Sequence, residues 1–471
     1  MAEGVACYVY EWTRRSKAVM AKLFGTNGIR GVPGKDLTDD IVTKVGRAVG
    51  TRLGSEIVVG CDGRVSSPRL SKLISAAINS AGSNVHFVGL APTPAIQLYT
   101  GSGKFTGGVV ITASHNPPEF NGIKVMGPNG VEIPRGMEAE IEALVDSPPP
   151  SAGSSLGRTY EEGGVVDLYV RRVMEKVDSE AIRKRAFKIV VDAGNGAQCV
   201  SAPRLYEALG CDVVPLFCEV DGNFPGRGSE PVAEKLTALV DTVRKSKADL
   251  GVAFDGDGDR VVFCDENGKL YTGDRSGALL LEYILERRKA QKVVTTVATS
   301  NIIEHVVVKH GSKLIKIRVG SVDVTERMLG EGAVAGLEEN GGFFYLPHQP
   351  VRDGGMTSSL MLDALAHWGV SMSAAMGRLP IYYQRKGKLA CPNPLKATVL
   401  EEVKKQADGR LDLTDGVRID FDDKSWVIVR PSGTEPLIRV FSESTDEGRA
   451  EQLFRRYFAL ADENTKKLQK A

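Results

Sequence analysis

The stretch DLGVAFDGDGDR, residues 249–260, decides how the chain is read. A short apolar, β-prone run ends in three carboxylates, Asp255, Asp257 and Asp259, that alternate with glycine, and Arg260 follows. Such a run, closed by a polar glycine-rich turn, predicts a buried strand that delivers a loop. It also closes a round: FKIVVDAGNGA (187–197), a helix to about Leu209, CDVVPLF (211–217), a helix over 232–246, then the stretch itself. The same plan comes earlier, as EIVVGCDGR (56–64), a helix from about Pro68, NVHFVG (84–89), a short helix and GGVVITASHNP (107–117). It comes again later, as KVVTTVATS (292–300), KLIKIRVG (313–320) and AVAGLEENGG (333–342), with helices between. Ser67 as N-cap and Pro68 as the first helical residue signal the first helix.

Ligands of open α/β sheets bind beyond the carboxyl ends of strands, so three equivalent rounds can aim three loops at one cleft. The expected fold class is therefore α/β: three similar α/β domains with mixed sheets, plus a C-terminal α+β domain, around a central cleft. The last hundred residues break the plan, because GVRIDFDDKSWVIVRPSGTEPLIRVFSES reads as antiparallel strands before a charged helix at about 446–468. The boundaries expected are 20–156, 157–263, 264–377 and 378–471. Linkers are expected near 147–155, 262–268 and 375–381. Residues 1–19 read as a disordered extension ahead of Met20.

Composition narrows the function. The chain has 471 residues, a net charge of +1 and no long block of one sign, which argues against a nucleic-acid partner. No apolar run reaches the ~18 residues of a membrane span. Seven cysteines stand singly, the pattern of reduced thiols in a cytoplasmic protein. Six histidines form no zinc spacing.

The loops carry the chemistry. Carboxylates 4 Å apart repel by about 4 kcal/mol at an effective dielectric of about 20, so three that converge need a cation. Oxygen-only ligands suit Mg²⁺ or Ca²⁺. An EF-hand fails because its sixth position needs glycine and holds Arg260 here. In TASHNPPEFNGIKV (112–125), Ser114 and His115 sit in a proline-stiffened turn suited to a nucleophile or phosphate carrier. In VRPSGTEPLIRV (429–440), Arg430, Ser432, Gly433 and Thr434 supply a cation, hydroxyls and free amides for a phosphate monoester, and Arg439 follows. In LEENGG (337–342), Glu338 and Asn340 alternate and could both face sugar hydroxyls.

TASHNP, DGDGDR and RPSGTEP, in this order and from Met20 to about Lys467, make the chain closely resemble the α-D-phosphohexomutase superfamily. That superfamily includes phosphoglucomutase, phosphomannomutase and phosphoglucosamine mutase. The resemblance implies that Ser114 is the phosphorylated serine. Asp255, Asp257, Asp259 and a phosphoserine oxygen of Ser114 would then hold one Mg²⁺. It also implies that Glu338 and Asn340 bind the sugar, and that Arg430, Ser432, Gly433, Thr434 and Arg439 grip the non-reacting phosphate. A hexose 1,6-bisphosphate is the implied intermediate and activator. Arg30 and Lys124 match positions lining the serine loop; Arg64 is expected at the substrate and Arg260 beside the metal.

Departures are specific. Many bacterial relatives carry a histidine, a candidate general acid/base, where this chain has Gly342; proton transfer then falls to Lys124 or His115, or to His348 if its loop folds back. Ser321 replaces an aspartate, and CDGR replaces the commoner RDTR. The KLFGTNGIRG and EENGG segments look most like archaeal-type members, several assigned as phosphoglucosamine mutases. The expected activity is therefore conversion of glucosamine 6-phosphate to glucosamine 1-phosphate. The alternatives are a phosphomannomutase or phosphoglucomutase and, remotely, a non-catalytic sugar-phosphate-binding protein. Small-molecule sugar phosphates are the expected partners, with neither nucleic acid nor membrane; the sequence leaves the oligomeric state open, a homodimer being one option.

Overall fold

The computed structural model describes residues 23–25, 27–147, 155–433 and 435–470. The expected extension 1–19 and most of the 147–155 linker lie outside them. Four sheets organise the rest. In the first, β1 (Ile29–Gly31), β2 (Glu56–Cys61), β3 (Asn84–Leu90), β4 (Gly107–Ile111), β5 (Asn121–Met126) and β6 (Thr159–Glu161) lie in the order β1-β5-β4-β2-β3-β6. The second holds β7 (Lys188–Asp192), β8 (Asp212–Leu216), β9 (Leu250–Phe254), β10 (Val261–Asp265) and β11 (Leu270–Tyr271), in the order β11-β10-β9-β7-β8. The third holds β12 (Lys292–Thr296), β13 (Lys313–Ile317), β14 (Ala335–Leu337), β15 (Phe343–Tyr345) and β16 (Gln349–Arg352), in the order β13-β12-β14-β15-β16.

The three rounds superpose in topology. The first strand of each (β2, β7, β12) pairs in parallel with the other two, and this central strand is buried almost throughout, as a strand covered on both faces must be. The third strand (β4, β9, β14) then folds back into an antiparallel partner (β5, β10, β15), which the strand-and-helix plan did not anticipate. Each functional loop is thus the turn of a hairpin. Two expectations change. The 262–268 linker does not exist, because Val261–Asp265 is that return strand, and a boundary at 263 cuts it in two. The 156 boundary falls before β6, which pairs with β3 in the first sheet. At the first helix the N-cap is Ser66, and the Ser67 hydroxyl instead donates to Asp62 (2.7 Å).

The fourth sheet, β17 (Tyr383–Ala390), β18 (Arg410–Asp412), β19 (Val417–Asp420), β20 (Trp426–Pro431) and β21 (Leu437–Ser444), is fully antiparallel, as expected for α+β. The helix Glu447–Lys470 packs on it through Leu453, Tyr457 and Ala461. Its core is separate. By contrast one apolar core runs through the first three domains, from Ala95 and Ile96 through Phe254 and Phe263 to Met356 and Leu360. The fourth domain meets the third at a small patch, where Trp426, Ile428 and Phe441 cover Val297 and Ala298. Ser321 accepts from Asn27 (2.9 Å) and donates to Glu132 (3.0 Å), joining the third domain to the first.

Candidate active site

Ser114 stands just beyond β4 with φ of +50°, a left-handed conformation that costs an L-residue about 1–2 kcal/mol. The surrounding loop holds it there. The Ser114 amide donates to Thr112 Oγ1 (2.8 Å), and that hydroxyl donates to buried Asp62 (2.7 Å). Arg64 is fully buried. Its Nε donates to Asp62, its Nη1 to the carbonyls of Pro117 and Phe120, and its Nη2 to those of Ser114 and Asn116. This corrects the expectation of a substrate contact: the guanidinium has five N–H groups, all spent on the protein. Arg64 shapes the serine loop instead. From the second domain, Ser229 Oγ lies 2.8 and 2.7 Å from the carbonyl oxygens of His115 and Asn116.

The aspartate loop is the β9–β10 turn, and it presses against the serine loop. A side chain at Gly256 would come within 2.5 Å of the Ser114 carbonyl oxygen, and Gly258 needs its φ of +75° to turn. Ser114 Oγ donates to Asp255 Oδ2 (2.8 Å). Burial, reinforced by the charge of Asp259 and opposed by Arg260, raises the Asp255 carboxyl to about 7. Asp257 is also buried, but Lys124 Nζ (2.8 Å) and Thr93 Oγ1 (2.7 Å) outweigh that and hold its carboxyl far below the usual range. Lys124 also reaches Asp259 (3.2 Å); despite burial, the two carboxylates raise its pKa. Arg260 Nε lies 3.1 Å from Asp255, and its Nη2 3.5 Å from Ser114 Oγ.

One oxygen from each of Asp255, Asp257 and Asp259 lies within 4.8 Å of the others. Asp257 Oδ1 and Asp259 Oδ1 are buried and lack any hydrogen-bond partner. An orphaned buried acceptor costs about 1–3 kcal/mol, and a bound cation removes that cost. This all-oxygen trio can bind a metal.

His115 Nδ1 lies 3.4 Å from Ser114 Oγ; burial, then the charges of Arg260 and Arg30, push its pKa well down. Arg30 donates to Asn116 Oδ1 (2.6 Å). Burial lowers its pKa in turn. In the third domain the EENGG turn joins β14 to β15. Glu338 is buried, which raises its carboxyl, and accepts from Arg352 Nη1 (3.2 Å). Asn340 is exposed, and its Oδ1 accepts from the Gly342 amide (3.0 Å). Arg352, unforeseen from sequence, also donates to Asp259 Oδ2 (2.7 Å). Its one sequence signal is a charge closing the strand QPVR just before DGG. His348 does not fold back. Its Nε2 lies 3.2 Å from Asp353, and its ring packs edge-on against Tyr169.

In the fourth domain Arg430 and Arg439 face each other across β20 and β21, a like-charge pair that is unfavourable without an anion. Asp415 occupies Arg430 (2.9 Å) and also accepts from the Val319 amide of the third domain (3.2 Å). Arg439 pairs with Glu435 (3.1 Å), but its buried Nε has no hydrogen-bond partner. Ser432 is buried, Gly433 is exposed and Thr434 lies outside the described residues. Lys396 Nζ holds the loop by the carbonyls of Ser432 (2.8 Å) and Glu435 (2.7 Å).

A strained serine facing carboxylates able to hold a metal, with Arg30, Lys124, Arg260 and Arg352 fixed around them, is equipped for phosphoryl transfer, where positioning and charge stabilisation do most of the work. Comparison with known proteins takes this further. The four models of phosphoglucomutase/phosphomannomutase match consecutively: α/β/α domains I, II and III at residues 21–150, 167–268 and 272–382, and the C-terminal domain at 388–460. A phosphoglucomutase/phosphomannomutase of Thermococcus kodakarensis is 40% identical over 95% of this chain and 100% of its own length. A phosphoglucosamine/phosphogalactosamine mutase of Sulfurisphaera tokodaii is 40% identical over 92% of this chain and 98% of its own. The crystal structure of a phosphoglucomutase/phosphomannomutase family protein from Burkholderia thailandensis aligns with a TM-score of 0.82 at 28% identity, over 93% of this chain and 97% of that one. The chain belongs to the phosphoglucomutase/phosphomannomutase family of the α-D-phosphohexomutase superfamily, and is a phosphohexose mutase, an isomerase. Among the described residues no helix is long and apolar enough to cross a membrane.

Proposed function

We propose that this mutase interconverts glucosamine 6-phosphate and glucosamine 1-phosphate through a phosphoserine at Ser114. The observation that carries the serine route is Ser114 Oγ hydrogen-bonded to Asp255, beside the orphaned oxygens of Asp257 and Asp259. Phosphorylated Ser114 gives its phosphoryl group to the free hydroxyl of the hexose phosphate. The P–Oγ bond breaks, a P–O bond to the sugar forms, and the hydroxyl proton passes to a neighbouring base. The hexose 1,6-bisphosphate then reverses in the cleft. Its other phosphoryl group returns to Ser114: the P–O bond to the sugar breaks, the P–Oγ bond forms, and the Ser114 proton passes through a neighbouring group to the released sugar oxygen. Arg30, Lys124 and Arg260 hold charge around the transferring group, and Arg430 and Arg439 hold the idle phosphate. Mg²⁺ on Asp255, Asp257 and Asp259 would offset negative charge at the transferring group.

Two features favour the amino sugar. The S. tokodaii relative is named for amino-sugar phosphates. The sugar loop also carries adjacent acids, Glu338 and Glu339, and Glu339 Oε2 is buried without a partner. An ammonium at C2 would bond a carboxylate of this loop more strongly than a hydroxyl does. The test compares kcat/KM for glucosamine, glucose and mannose phosphates with Mg²⁺ and the matching bisphosphate. A preference for glucosamine above tenfold, about 1.4 kcal/mol, supports the reading; a smaller ratio makes the enzyme a generalist. Ser114→Ala abolishes turnover if the serine route holds. Near-full activity of that variant would end it.

A further inference from the structure

Among the described residues, Arg352 is the one side chain that bonds both the aspartate loop of the second domain and the sugar loop of the third. Its Nη2 donates to Asp259 Oδ2 at 2.7 Å and its Nη1 to Glu338 Oε2 at 3.2 Å. Its base is rigid. The next residue, Asp353, caps the helix Gly354–Trp368, and the Gly354 amide donates to the Gly258 carbonyl in the aspartate loop (3.2 Å). Its stem is equally constrained. Arg352 pairs with Phe344 across β15 and β16, which lays its methylenes along the turn two residues earlier. A Cβ on Gly342 would stand 2.5 Å from Arg352 Cδ and 3.1 Å from its Cγ. Gly342 is not among the glycines with positive φ, so it is the Arg352 stem that leaves no room for a side chain there.

We propose that Gly342 and Arg352 form a coupled pair: residue 342 is glycine so that Arg352 can cross it, and Arg352 sets the sugar loop in register with the metal carboxylates. The inference rests on the mutase reading for its catalytic half alone. Arg352 is a positioning residue. It fixes where Glu338 meets the sugar relative to where Asp259 meets the metal, which no contact within either loop can do. It also explains how the chain dispenses with a side chain at 342: a permanent cation occupies that space. A guanidinium cannot shuttle protons at ordinary pH, so this space contributes alignment and charge, and proton transfer lies with other groups.

The first test needs no substrate. Thermal unfolding is measured for wild type, Gly342→Ala, Arg352→Ala and the double variant. Gly342→Ala lowers Tm by several degrees in the wild-type background and by less than one degree in the Arg352→Ala background; equal shifts in both overturn the shared space. The second test uses Arg352→Met and Arg352→Lys. Arg352→Met lowers kcat at least thirtyfold and raises KM for the sugar phosphate, while Mn²⁺ affinity, measured by calorimetry without substrate, stays within threefold or tightens. Arg352→Lys, which cannot bond both loops with a fork, recovers less than a tenth of the activity. If Arg352→Met keeps kcat within threefold, or loses Mn²⁺ binding in proportion to activity, the positioning role is overturned. A wild-type enzyme without mutase turnover would count against the functional reading instead, and the Tm cycle would still decide the pairing.

Discussion

Arg64→Met removes five hydrogen bonds and a buried charge while keeping most of the side chain's length. Asp62 and four carbonyl oxygens, of Ser114, Asn116, Pro117 and Phe120, are left behind in a buried place. Breaking one partner of a buried ion pair costs about 3–5 kcal/mol, and the carbonyls add to this only in part because the loop can open to water. A loss of about 4 kcal/mol is the working figure. The first three domains share one core, so the loss is spread over a unit of roughly 350 residues, whose unfolding entropy near 0.7 kcal/mol/K makes the drop in Tm about 5–6 °C. The same change frees Ser114 from its left-handed conformation, so kcat falls at least tenfold. Arg64→Lys keeps the charge but offers three donors, and recovers about half of the Tm loss with little of the activity. Scanning calorimetry and steady-state turnover on the three proteins decide the matter. A Tm within 1 °C of wild type and a kcat within threefold for Arg64→Met would refute the claim that Arg64 builds the serine loop.

Three further outcomes follow from the same geometry. Asp257→Asn removes one orphaned oxygen's charge and leaves Lys124 half paired, so divalent-metal affinity falls at least tenfold by calorimetry, and chelator-treated wild type loses activity that Mg²⁺ restores. Glu339→Gln lowers kcat/KM for glucosamine phosphate about tenfold, near 1.4 kcal/mol, and leaves glucose phosphate within twofold; equal losses on both sugars would remove Glu339 from recognition. His86 lies 2.7 Å from both Glu162 and Glu56. Burial lowers its pKa, but its bonds to the two carboxylates outweigh burial and raise it, while both glutamates are lowered by their bond to the imidazole. Stability from the raised His86 is full below about pH 6.5 and is lost as pH rises through its folded value. Stability from the lowered glutamates is present above about pH 4.5 and is lost as pH falls through theirs. The Tm gap between wild type and His86→Gln is therefore widest near pH 5–6 and narrows by pH 9; a gap flat from pH 5 to 9 would rule the clasp out.

Much of the architecture was legible because each round repeats an apolar run, a helical stretch and a glycine-rich stop. The return strands β5, β10 and β15 were less so. Val261–Asp265 is as apolar as a linker flank can be, and nothing local says that it pairs backward onto β9. At the site, the sequence located Ser114 and the three aspartates because their spacing has few other uses. It misread Arg64, since an arginine beside Asp62 looks the same whether it faces a ligand or four carbonyls. It missed Thr93 and Arg352 altogether. Each acts across a domain boundary, Thr93 on Asp257 and Arg352 on Asp259, and such contacts leave no periodicity behind. Asn340 keeps its place in the loop, where its Oδ1 also braces the turn.

On the proposed route, the separate core of the fourth domain bears on the fate of the bisphosphate between its two chemical steps. Trp426, Ile428 and Phe441 are a small seam beside the continuous interior of the other three domains. Arg430 and Arg439 ride on that side of the seam. If Arg430 and Arg439 hold the idle phosphate as proposed, the ligand can lose that grip without disturbing Ser114 or the aspartates, and escape then competes with reversal. The strength of the seam sets the commitment of the intermediate. Trimming it by Ile428→Ala should leave the phosphoserine chemistry intact while more bisphosphate is released to solvent per productive turnover, so that the enzyme comes to depend on added activator.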